Sequence, residues 1–180
     1  MSATDPRSLR TDQYATGTNL SARIELHQRF TTAAVRWHPW LIERMPIREH
    51  ARVLELGCGT GLFWREIEDR IDPSWRLTLT DFSEGMVREA RRATSSAPCS
   101  VEGAVADILG IPVRDASIDA IVAKHMLYHV PDLDGALAEV RRVLRPDGVL
   151  YATTIGRDCL HEIDDVVTQA LRMRRRCAPV

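Results

Sequence analysis

Val53–Leu54–Glu55–Leu56–Gly57–Cys58–Gly59–Thr60–Gly61 runs from a short apolar segment into a turn with glycine at every second position. Val53–Leu56 reads as a strand, and the turn closes it. Glycine gives such a turn its dihedral freedom and lets the backbone approach a ligand without an obstructing side chain. Beyond the turn, Leu62, Phe63, Ile67 and Ile71 recur at helical spacing until Asp72–Pro73 ends the pattern.

Working outward, the alternation of strand and helix continues. Arg76–Thr80 is a predicted strand, and Ser83 is placed to cap a helix carrying Met86, Val87, Ala90 and Ala93. Ser100–Ala106 is a third strand. Ile118–Ala123 is a fourth, apolar on both sides as a strand covered on both faces should be. Leu133, Leu137, Val140 and Leu144 mark a helix face, Arg145–Pro146–Asp147–Gly148 a turn, and Val149–Thr153 a fifth strand. This series predicts an α/β fold, a Rossmann-like doubly wound sheet of five parallel strands with helices on both faces. Upstream, Asn19 is a candidate cap for a helix from Leu20 to about Arg44, with Leu20, Ile24, His27 and Val35 inward and a break or kink at Pro39. Downstream, Asp158–Ala170 reads as one more helix, followed by the arginine-rich run Arg172–Val180, read as a solvated end.

The totals bound the function. A chain of 180 residues, 44% hydrophobic and 27% charged, fits one soluble domain. A net charge of −1 gives no global field for nucleic acid or an anionic membrane. The apolar runs are too short to cross a bilayer, and Met1–Asp12 lacks the apolar core of a secretion signal. Cys58, Cys99, Cys159 and Cys177 form no Cys-x-x-Cys pair and no disulfide-like rhythm, which predicts reduced thiols and a cytoplasmic location. His161–Glu162 lacks the second histidine of a zinc motif, so no metal site is predicted.

In a doubly wound sheet, ligands lie beyond the carboxyl ends of the strands, where strand order reverses. A dinucleotide fingerprint starting at Gly57 would need its third glycine at position 62, which is Leu62, and no phosphate-binding Gly-x-x-x-x-Gly-Lys-Ser/Thr loop is present. Asp81, twenty residues past Gly61 at a strand end, can accept bonds from two ribose hydroxyls or serve as a helix cap. Asp107, ending the third strand, can accept from an adenine amine or be an ordinary turn residue.

Taken in order, these pieces resemble the class I S-adenosylmethionine-dependent methyltransferases, over about Tyr14 to Gly156. The most specific stretches are Val53–Gly61, Thr80–Met86, Ala106–Ile108, Ile118–Val122 and Arg142–Gly148. The resemblance implies S-adenosylmethionine as cofactor, with Gly57, Cys58, Gly59 and Gly61 passing its methionine and ribose portions and Glu55 supporting the loop. It implies Asp81 on the ribose, Phe82 and Met86 against the adenine, Asp107 on the adenine amine and Ile108 beside the ring. Lys124 and His125 would line the methionine end, and Tyr14 would close over the cofactor from a lid helix.

The implied reaction is methyl transfer to a small-molecule acceptor, with positioning as the protein's main task. A base is needed only if the acceptor must lose a proton. His125 and His129 are candidates, sharing one face if they lie on a helix, and each has a structural reading as well. His27 and His38 are unranked, so no catalytic residue is assigned. Cys58 is expected to be a close-packed thiol.

The resemblance implies seven strands, of which the last two are missing here. The expected domains are an N-terminal lid (1–45), a cofactor-binding core (46–157) and a C-terminal helix and basic tail (158–180). A truncated or frame-shifted product is the corresponding expectation, with self-association through an uncovered sheet edge. The rival functions are a catalytically idle, cofactor-binding or interaction fragment and a dinucleotide oxidoreductase.

Overall fold

The structure, a computed structural model, describes Glu25 and residues 29–156. Nine elements follow in chain order: α1 (Trp37–Ile42), β1 (Arg52–Leu56), α2 (Leu62–Glu66), β2 (Arg76–Asp81), α3 (Glu84–Ala93), β3 (Ser100–Val105), β4 (Ile118–Lys124), α4 (Leu133–Val143) and β5 (Leu144–Thr153). The strands form one sheet in the order β3-β2-β1-β4-β5, every pairing parallel. The chain winds outward from β1 through β2 to β3, then returns to the other side of β1 for β4. The reversal therefore falls between the carboxyl ends of β1 and β4, where the glycine turn leaves β1.

Strand alternation divides the core in two. Val53, Leu77, Leu79, Ala120 and Val122 face Leu41, Phe63, Trp64 and Ile67. Leu54, Leu56, Ile121 and Ala123 face Ala136, Val140 and Val143, together with Ile108 and Ile111. Helices thus cover both faces, as the strand–helix alternation predicts. Each fully buried Leu or Ile contributes about 1.5–3 kcal/mol relative to exposure. Trp64, with no exposed surface, is the largest fully buried side chain, so Trp64→Ala is the single change expected to damage the first core most.

Several local readings are revised. The upstream helix is not continuous: Arg29 and Phe30 are helical, 31–36 are not, and α1 begins only at Trp37. Pro39 sits in the first turn of α1, where its missing N–H would lack an intrahelical partner anyway, so it does not break that helix. Val35 is 58% exposed rather than inward. The helix after the glycine turn ends at Glu66 and passes into a 3-10 turn at Glu68–Arg70; Trp64 takes an inward place while Leu62 stays half-buried. On α4 the inward residues are Ala136, Val140 and Val143, while Leu133 and Leu137 are exposed. Arg145–Gly148 lies inside β5 as an irregularity, because Ile118 pairs with Leu144 and Ala120 with Val149. Ser83 caps α3 as expected, its hydroxyl accepting from the Met86 N–H at 3.4 Å.

That irregularity has a use. It carries Asp147 to 2.9 Å from Arg48, while Arg145 reaches Asp119, which also pairs with Arg48 and accepts the Arg52 N–H at 2.8 Å. The start of β1, β4 and the irregular part of β5 are thereby tied together at the amino end of the sheet. The residues of the C-terminal reading, Asp158–Ala170 and Arg172–Val180 with Cys159, His161 and Cys177, lie outside the described residues. So do Asn19, Leu20, Ile24 and His27.

Candidate cofactor site

Gly57, Gly59 and Gly61 all adopt left-handed backbone, with φ of 70°, 54° and 75°. Two of them are also required by space. A Cβ on Gly61 would lie 2.8 Å from the Ala90 Cα in α3, and one on Gly57 would lie 3.0 Å from the Met126 Cβ. The turn is therefore closely seated on α3 on one side and on the segment after β4 on the other. The Cys58 N–H extends strand pairing to the Thr80 carbonyl at 2.9 Å. Its thiol is buried, and burial, reinforced by the charges of Glu55 and Asp81, pushes the Cys58 thiol far up, as expected of a close-packed, unreactive cysteine.

Asp81 ends β2 and binds the turn to the next helix. One carboxylate oxygen accepts the Gly59 N–H at 3.0 Å and the other accepts the Ser83 N–H at 2.9 Å. Burial raises its pKa, against the lowering effect of those backbone bonds. The Phe82 N–H acts on the same carboxylate, which leaves one of its about four lone-pair sites for a hydroxyl donor. The ribose and helix-start readings are thus compatible rather than exclusive. Beside it Phe82 is 39% exposed, whereas Met86 is 1% exposed and, as placed, offers almost no surface to a ligand. Asp107 falls two residues past the end of β3, not on it. It is exposed, and its carboxylate accepts the Leu109 N–H at 2.9 Å, opening a 3-10 turn at Ile108–Gly110 in which Ile108 is buried. Val105 and Leu109, both exposed, place further apolar surface beside Asp107.

Under the turn lies an arrangement that sequence reading only half supplies. Glu55, Lys124 and Thr153 occupy the ends of β1, β4 and β5 on the same sheet face as Val53, Val122 and Tyr151. Glu55 is fully buried; one oxygen pairs with Lys124 Nζ and the other accepts the Trp64 indole N–H at 2.6 Å. Lys124 Nζ also stands 4.5 Å from the Phe63 ring centroid, and the Glu55 carbonyl accepts the Thr80 hydroxyl at 2.7 Å. Thr153 Oγ1 is buried with no hydrogen-bond partner among the described residues. Trp64, Phe63, Thr80 and Thr153 are not among the site residues expected from sequence. A lone carboxylate in an apolar strand and a tryptophan just beyond the turn are the signals that would pair Glu55 with Trp64, because a buried indole N–H needs an acceptor.

The histidines behave differently from the expectation. His125 has left-handed backbone (φ 51°) and donates its N–H to the Thr153 carbonyl at 3.0 Å, and His129 ends a 3-10 turn at Leu127–His129. They do not share a helix, so their spacing of four places no common face. The His125 ring lies 6.1 Å from that of Trp37. His38 Nδ1 is 3.0 Å from Glu66 Oε2, its ring edge-on to Phe63, and burial lowers its pKa. It anchors α1 to α2. Tyr14 and His27 lie outside the described residues.

An open glycine cradle at the strand-order reversal, with a carboxylate at the next strand end and another just past the third, fits an adenosyl ligand. Comparison with known proteins agrees. Residues 54–152 match the family described as a methyltransferase domain. A malonyl-[acyl-carrier protein] O-methyltransferase of Enterobacter lignolyticus is 37% identical over 68% of this chain and 46% of its own length. The ubiquinone/menaquinone biosynthesis C-methyltransferase of Bordetella avium is 30% identical over 77% of this chain and 55% of its own. An S-adenosylmethionine-dependent methyltransferase structure from Aquifex aeolicus superposes with a TM-score of 0.60 at 19% identity, covering 74% of this chain and 78% of that one, a likeness of fold. This chain belongs to the methyltransferase domain family. Its cofactor is S-adenosylmethionine. The chain spans about half the length of the curated relatives it matches.

Proposed function

We propose that this chain transfers a methyl group from S-adenosylmethionine to a small-molecule acceptor. The observation that carries this is the glycine turn, held in left-handed backbone at the β1–β4 reversal and tied by Gly59 to the Asp81 carboxylate. When bound, the cofactor supplies a methyl group already activated by positive sulfur. The chain's residues then bind and orient. Asp81 holds the ribose, Phe82 and Ile108 border the adenine, and Asp107 accepts its amine. Gly57, Cys58, Gly59 and Gly61 give the backbone access, while Lys124 and His125 line the methionine end. Met86 supports this wall from the interior.

Names of relatives suggest the acceptor class: one acts on malonyl-[acyl-carrier protein], another in ubiquinone and menaquinone biosynthesis. No described helix is long and apolar enough to cross a membrane, and with free thiols at Cys58 and Cys99 this supports the cytoplasmic reading. Among the described residues β5 pairs with β4 alone and Val149 is 44% exposed, which supports self-association through that edge. Sedimentation showing a stable monomer would count against it. Methyl transfer itself is tested with a methyl-labelled cofactor and a panel of oxygen, nitrogen and carbon acceptors. Label in an acceptor supports the proposal; cofactor binding with no transfer across the panel supports the idle fragment.

A further inference from the structure

Glu55 and Lys124 form an ion pair with side-chain exposures of 0% and 10%. Taking two charges out of water offsets most of what their attraction returns, so a well-packed apolar pair of similar volume would stabilise the sheet as well or better. Here both charges are fixed, Glu55 by the Trp64 indole and Lys124 by the Phe63 ring. They stand at the ends of β1 and β4, the two strands that flank the reversal where the ligand lies.

Cofactor and product share every group but one. As methyl passes to the acceptor, the sulfur–carbon bond breaks and its electron pair stays on sulfur, so a cationic sulfonium becomes a neutral thioether. Any proton the acceptor loses goes to solvent. The two ligands therefore differ by one positive charge in one site. Fixed charges with little water between them and the ligand act strongly on that difference.

We propose that the Glu55–Lys124 pair sets the preference of this site between the cationic cofactor and its neutral product. Lys124 alone opposes the sulfonium, and Glu55 cancels that opposition. This inference rests on the cofactor reading above.

The test is calorimetric titration of wild type, E55Q, K124M and the double variant E55Q/K124M with adenosylmethionine and adenosylhomocysteine at low ionic strength, each fold checked by circular dichroism. The quantity read is the ratio of the two dissociation constants, in which general damage to the site cancels. A unit charge within about 10 Å, at an effective dielectric of about 20, changes this ratio by about tenfold. We expect E55Q to move it about tenfold toward product, K124M to move it toward cofactor, and the double variant to return to within about twofold of wild type. Should K124M fail to fold, E55Q and the double variant decide. Equal weakening of both ligands, or a shift of the same sign in both single variants, overturns the proposal. If wild type binds neither ligand, the cofactor reading falls and the inference with it; if both bind and the ratio stays fixed, only the inference falls.

Discussion

Both ends of the sheet carry charged clusters bridging β1 and β4, and the two are built in opposite ways. At the amino end Asp119 is nearly buried but its partners are not: Arg48 is 54% exposed and Arg145 48%. At the carboxyl end Glu55 and Lys124 are both shielded, with a tryptophan and a phenylalanine closing the shell. Exposed pairs hold segments in register with little net energy, because water and salt compete for the same charges. A shielded pair is costly to assemble, and it is found where a ligand is expected. The contrast separates a staple from a site.

Substitutions should break this contrast unequally. Gly61→Val has the largest expected effect, since it forces a β-branched residue into φ 75° and drives its Cβ against the Ala90 backbone. We expect a loss of about 3 kcal/mol or more, read from urea midpoints, together with loss of adenosyl-ligand binding. Lys124→Met comes next. Leaving the Glu55 charge buried without its partner should cost about 3 kcal/mol, and raising the salt should change that little. At the other end, Arg48→Met should move the midpoint slightly, and the difference should vanish near 1 M salt, where the Debye length is about 3 Å. Equal effects at the two ends would erase the distinction.

The smallest effect is in pH. Burial raises the Asp81 pKa. Burial also pushes Asp119 up, but the Arg52 N–H, Arg48 and Arg145 outweigh it and hold the carboxyl below its ordinary value. The signs are therefore opposite. Stability from Asp119 is present above its unfolded value and lost as pH falls through the lower folded one. Stability from Asp81 is present below its unfolded value and lost as pH rises through the higher folded one. On acidification from about pH 6 to 3 Asp81 protonates first, so the Gly59 amide bonded to it should lose hydrogen-exchange protection before the Arg52 amide bonded to Asp119. The reverse order would contradict the assignment.

The contrast also shows what sequence can carry. Strand order of appearance, parallel pairing and the glycine turn were legible, because each depends on local pattern and on residue types that only one backbone geometry requires. Helix interiors were less so. Leu133 and Leu137 looked inward by spacing, yet the buried face of α4 is the neighbouring stripe Ala136, Val140 and Val143, and the two leucines lie exposed. The His125–His129 spacing suggested a shared helix face, whereas left-handed backbone at His125 and a 3-10 turn removed it. Arg145–Gly148 read as a turn because its composition is that of one, but it stays in the strand as an irregularity stapled by Arg48 and Asp119. In the site, Asp81 was readable from its distance to the turn. Trp64 was not, since its acceptor is set by how α2 lies across β1.

The central claim is that the β1–β4 reversal is built for an adenosyl sulfonium ligand rather than a dinucleotide. The most direct measurement is calorimetric titration of the purified chain with adenosylmethionine, adenosylhomocysteine and NAD. We expect saturable one-to-one binding of both adenosyl ligands, abolished by Gly61→Val, and no binding of NAD. Binding of NAD alone would contradict the account.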